Sequence, residues 1–131
     1  MKRRKVYTVK RRWLKGDRVT YHRVFRGGTM ILELVEENGG IIIHKDVHGS
    51  SKALMSGPPS PMPQPQDLIA VAILSEEYDT IQAYNYYRWF ARAFVYGLVM
   101  EWNGARFGSE EVFEGMIQAK QALRDAKPAN F

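Results

Sequence analysis

The chain contains no cysteine. A disulfide framework, a thiolate metal site and a cysteine nucleophile are therefore excluded, and the composition is read as that of a protein from a reducing compartment, the cytoplasm. No apolar run has the length of a bilayer span. The longest candidate is broken by Asn85, Arg88, Arg92 and Glu101, so no membrane partner is expected. Met1-Lys2-Arg3-Arg4-Lys5 opens like the charged start of a leader, but Lys10, Arg11 and Arg12 follow before an apolar segment can develop, and export is not expected. Also missing are a phosphate-binding glycine loop, a nucleophile elbow and a supported pair of catalytic carboxylates. The expectation is a binding function without catalysis and without a cofactor.

Acidic residues are scarce at the start of the chain. Residues 1–26 hold eleven Lys and Arg against Asp17 alone, whereas the net charge of the whole is +5, so the remaining chain is net negative. Charge segregated in this way points to an anion-binding face on a mildly acidic body. The 131 residues, 45% of them apolar, suit a single domain with a real core.

Residues 6–14 and 18–25 are rich in β-branched and aromatic side chains, with Lys15-Gly16-Asp17 as a short connection, which predicts a hairpin. Alternation predicts a third strand over 29–36. Asn38-Gly39 suits a tight turn with positive φ, and 41–44 follows as a fourth strand. Residues 57–66 carry repeated proline, which fixes φ and removes amide donors, so an extended connector is expected between a β half (about 5–56) and a mainly helical half (67–127). Neither half is large enough to stand alone. The continuous apolar run 68–74 is read as a buried strand.

Asp79 or Thr80 caps a helix that is expected to run to about residue 102 and stop at Asn103-Gly104. Ser109, followed by Glu110 and Glu111, caps another in which Val112, Met116, Ala119, Leu123 and Ala126 recur at helical spacing. The short connection over 104–108 makes these helices antiparallel neighbours. The predicted fold is α+β: an antiparallel sheet of four or five strands followed by a C-terminal antiparallel helical hairpin.

Within the basic hairpin, alternation places Tyr7, Val9, Arg11 and Trp13 on one face of the first strand, grouped with Val19, Tyr21, Arg23 and Phe25 of the second. Lys10, Arg12, Arg18, His22 and Arg26 are assigned to the opposite face. With Lys2, Arg3, Arg4 and Lys5 they form the candidate nucleic-acid-binding set, because phosphate recognition needs cations spaced to displace counterions, and a twisted ribbon can lie in a groove or along a strand. Tyr7 or Trp13 could add stacking on bases. His44, Asp46 and His48 are ligand types for a metal. On a continuous strand, however, the outer pair would be about 13 to 14 Å apart, so no metal site is assigned.

The helix beginning near Thr80 is crowded with aromatics. Trp89 and Tyr96 are candidates for a protein interface, whether with a second copy or with another chain. The resulting expectation is a small basic protein docking on DNA or RNA. The alternative is a protein-binding inhibitor or assembly subunit from a mobile element, meeting an acidic protein through the basic face and the aromatic helix.

Overall fold

The computed structural model describes residues 5–16, 18–57, 62–99 and 104–126. Four strands form an antiparallel meander: β1 (Val6–Leu14), β2 (Val19–Arg26), β3 (Thr29–Glu37) and β4 (Gly40–Asp46). Helix α1 (Ser50–Met55) and helix α2 (Pro65–Glu77) follow. Helix α3 (Thr80–Phe90) then continues directly into a π-helical segment (Ala91–Val99). A short strand β5 (Ala105–Gly108) and helix α4 (Ser109–Ala126) complete the order. The sheet runs β4-β3-β2-β1-β5, with every neighbouring pair antiparallel. The α+β class, with an antiparallel sheet of four or five strands followed by C-terminal helices, is thus as predicted.

Turn chemistry explains the meander. Asn38 and Gly39 both have positive φ, 52° and 78°, the pairing that a tight hairpin turn demands. The β2–β3 turn passes through Gly27 at φ 56°, whose amide donates to Val6 O at 2.7 Å.

The fifth strand is not the one expected. Residues 68–74 form the middle of helix α2, and all seven are at most 1% exposed. A helix enclosed on every side has no polar stripe, so its sequence shows the unbroken apolar run of a buried strand. Pro65 opens α2, and Asp67 Oδ2 accepts from the Gln64 amide at 2.8 Å, closing one half of a capping box. The proline connector therefore gives up residues 65 and 66 to the helix, and residues 58–61 lie outside the described part.

Helix α2 packs against β3 on one side and against α3, the π segment and α4 on the others. Tyr7 of β1 stacks on Phe107 of β5, with ring centroids 5.6 Å apart, and Phe94 meets Phe107 edge-on at 5.0 Å, which ties the sheet to the helical layer. Helices α3 and α4 run antiparallel. Lys120 lies over the Tyr86 ring at one end of their contact, while Gly115 meets Phe90 and Phe94 further along α3 and into the π segment. The expected stop at Asn103 lies outside the described residues. Among those described, no helix is long and apolar enough to cross a membrane.

Candidate nucleic-acid interface

Register decides which cations share a face. Leu14 pairs with Val19 across the tip, so Lys10 sits opposite Arg23 and Arg12 opposite Tyr21, whereas Arg11 sits opposite His22 and Tyr7 opposite Arg26. Residues directly opposite in an antiparallel pair project to the same side. The expected grouping of Lys10 and Arg12 with His22 and Arg26 is therefore corrected: the first two are on the outer face, the last two on the inner face with Tyr7, Val9 and Val24. Matching odd with odd residue numbers across the hairpin was wrong by one position, and a slip of one reverses every side chain.

The basic side chains of the inner face are already engaged. His22 is 2% exposed, and its Nε2 lies 3.3 Å from Glu36 Oε2. Arg26 Nη1 donates to Glu76 Oε1 at 2.7 Å, Lys5 Nζ lies 3.8 Å from the same oxygen, and His48 Nε2 bonds the other carboxylate oxygen. Burial alone would raise the Glu76 pKa, but hydrogen bonds from His48 and Arg26 outweigh it and hold the carboxyl below its ordinary range. Tyr7 lies in the same neighbourhood. Its hydroxyl is pushed upward by burial and by the charge of Glu77, yet neither Tyr7 Oη nor Glu77 Oε1 closes a hydrogen bond of ordinary geometry.

The outer face is shielded in a different way. Lys10 Nζ lies 5.5 Å from the centre of the Phe25 ring, and the Arg23 guanidinium lies 5.1 Å from that of Tyr21, so cations cover the aromatics that would otherwise face water. Arg23 also donates to Glu33 Oε2 at 2.6 Å, the bond that does most to hold the Glu33 carboxyl low.

Toward the tip the picture changes. Strand β5 pairs with β1 only from Val6 to Val9, so β1 from Lys10 onward has no strand on that side among the described residues. Lys10, Arg12, Lys15 and Arg18 are exposed and have no carboxylate partner among the described residues. Trp13, on the inner face opposite Thr20, is 63% exposed because the helical layer stops short of the tip. Of the predicted phosphate contacts, Lys10 and Arg12 thus share the outer face of the distal hairpin, while Arg18 at its tip borders a hollow on the inner side with Thr20. Lys5, His22 and Arg26 belong to internal pairs, and Lys2, Arg3 and Arg4 lie outside the described residues.

The His44, Asp46 and His48 group on and after β4 separates. A register shift beside Leu34 places His44 against Glu33 on the outer face, Asp46 Oδ2 accepts the Lys52 amide at 2.8 Å, and His48 turns to Glu76. Among the described residues no three His, Asp or Glu side chains form a metal-binding group.

On the aromatic helix, Trp89 is half-buried with the Arg92 guanidinium 5.2 Å from its ring centre, and Tyr96 is 62% exposed. Two hollows flank Met62 and Gln64. One, of about 390 Å³, is lined by Arg18, Thr20, Glu36, Asn38 and Ile41 among others, and the other, of about 280 Å³, by Asp67, Arg88, Arg92 and Tyr96. Sequence carried no signal for these hollows, since they arise where the approach to α2 passes between the sheet and the π segment. Comparison with protein-family models, with curated proteins and with solved structures gives no match for this chain.

Proposed function

We propose that the protein is a non-catalytic nucleic-acid-binding domain that docks on phosphates through the distal half of the β1–β2 hairpin. One contrast carries the reading. Arg23 and Arg26 of β2 are matched by Glu33 and Glu76, whereas Lys10, Arg12, Lys15 and Arg18, spread from the middle of the hairpin to its tip, have no carboxylate partner among the described residues. Unmatched cations along the exposed end of β1 and at the hairpin tip supply the counterion-releasing contacts that nucleic-acid binding requires.

The test is a titration of labelled oligonucleotides at several salt concentrations, with the wild type beside a Lys10→Ala, Arg12→Ala, Arg18→Ala triple variant. Three phosphate contacts correspond to a change of roughly 2 to 3 in the slope of log affinity against log salt, and that much should disappear in the variant. Affinity indifferent to salt and to the triple substitution sinks the reading, and salt-dependent capture of an acidic protein in place of any oligonucleotide would replace it with protein recognition.

A further inference from the structure

The inner side of the distal hairpin, which carries Trp13, Thr20 and Arg18 and not Lys10 or Arg12, is half of a larger surface. Trp13 shares the inner sheet face with Thr20, and Thr20 with Arg18 lines the first hollow. Met62 and Gln64 form its far wall and are also the near wall of the second hollow, whose far side is Arg88, Arg92 and Tyr96. The hairpin tip and the arginine-bearing side of the aromatic helix, far apart in sequence, therefore border a path made of two hollows that adjoin at Met62 and Gln64. An exposed aromatic stands toward each end, Trp13 at 63% and Tyr96 at 62%, with Met62 at 60% between them.

We infer that this path is a track for single-stranded nucleic acid, with bases over Trp13, the two hollows and Tyr96, and phosphates along Arg18, Arg88 and Arg92. The inference rests on the nucleic-acid reading above and narrows its ligand. Three features favour a single strand over a duplex. Exposed aromatic faces are useful only to bases that are unstacked from their neighbours. The hollows, at about 390 and 280 Å³, have room for individual bases and not for a double helix. Finally, the linings are mixed in charge: Glu36 and Glu37 line the first hollow beside Arg18, and Asp67 lines the second. Glu36 accepts from His22 and Asp67 from the Gln64 backbone amide, while Asn38 and Gln64 add amide groups. Acceptors of this kind repel phosphates yet suit the amino groups of base edges, so bases point inward and the backbone follows the arginines. The two helix arginines are also held in place, Arg92 over Trp89 and Arg88 with its guanidinium 5.9 Å from the Tyr87 ring centre, which limits the side-chain ordering that binding must impose.

The experiment uses the full chain with labelled oligothymidylate, oligouridylate and a mixed-sequence duplex of equal length, across a salt series. Variants are Arg88→Ala with Arg92→Ala, Trp13→Ala, Tyr96→Ala, the hairpin triple variant, and Arg124→Ala as a control on exposed α4 surface; thermal unfolding of each confirms the fold. The expected result is a preference of at least about tenfold for single strands at equal salt. Removing Arg88 and Arg92 should lower the magnitude of the salt slope by about 1.4, at roughly 0.7 per contact on a single strand. Trp13→Ala and Tyr96→Ala should each weaken single-strand binding by about tenfold with the slope unchanged, which separates stacking from charge. Equal affinity for duplex, or helix-side variants that bind like the wild type while the hairpin triple variant fails, overturns the track and leaves the hairpin reading standing. Binding to no oligonucleotide, or binding unmoved by the triple variant, overturns both.

Discussion

Gly115 of α4 lies so close to Phe90 that a Cβ at this position would fall 2.8 Å from the ring edge, with two atoms of Phe94 at 3.0 and 3.2 Å. The absence of a side chain lets α4 approach the junction where α3 becomes a π-helix. Gly115→Ala would gain about 1 kcal/mol in helix propensity but should lose about 1 to 3 kcal/mol to overpacking against a Phe90 that is 0% exposed. A net loss on the order of 1 kcal/mol in urea unfolding is expected, and Gly115→Val should lose more. A Gly115→Ala protein more stable than the wild type would show that the two helices can separate at this point without cost.

Helix α2 is the element on which the others converge, and its residues should be the least tolerant of truncation. Ile73 is 0% exposed, whereas Ile42, of the same type on edge strand β4, is 49% exposed. Ile73→Ala is expected to cost about 2 to 5 kcal/mol and Ile42→Ala well under about 1 kcal/mol, as read from denaturant midpoints at constant m-value. Similar losses at both sites would contradict a buried position for α2.

The same pair of residues shows what could be read in advance. Strands β1 to β4, the Asn38-Gly39 turn and helix α4 are encoded locally, by alternation, turn chemistry and a 3.6-residue period. Residues 68–74 were opaque because a helix surrounded by other elements has no polar face to display its period. β5 was missed for a related reason: Ala105-Arg106-Phe107-Gly108 is only four residues long, and it becomes a strand by pairing with Val6 to Val9 at a distance of about a hundred positions. At the site, the crowding of cations was plain in the sequence but their sorting was not. Whether Arg26 faces Glu76 or solvent depends on a hairpin register that one residue in the tip connection would reverse.

Stability should fall as the pH drops, in two stages. His22 is held below its ordinary value of 6.5, first by burial and further by Arg11 of β1, against the pull of Glu36 on β3. The unfolded chain therefore binds this proton at higher pH than the folded one, and stability is lost as the pH falls below 6.5. Glu33 and Glu76 have folded values below the ordinary 4.5, so what they contribute is present above that pH and disappears as the pH falls through their folded values. His22→Phe should flatten the upper stage and leave the lower one, as followed by urea unfolding from neutral to acid pH. An upper stage that survives the substitution would assign it to some other group.

Arg18 joins fold and function at the tip of the hairpin. Its φ is 53°, in the left-handed region, where a side chain with a Cβ is disfavoured by roughly 1 to 2 kcal/mol and glycine is not. The guanidinium borders the first hollow, so the strained backbone places a cation where the proposed strand would pass. Arg18→Gly relieves the strain but frees the unfolded chain, and the balance should be a stability gain of up to about 1 kcal/mol. The same change removes one phosphate contact, so oligonucleotide affinity and the salt slope should both decline while the midpoint of unfolding holds or rises. Opposite movements of stability and binding would identify Arg18 as retained for its charge in spite of its conformation. If Arg18→Gly is less stable and binds as well as the wild type, the side chain serves the fold instead, and the hairpin loses one of its three assigned phosphate contacts.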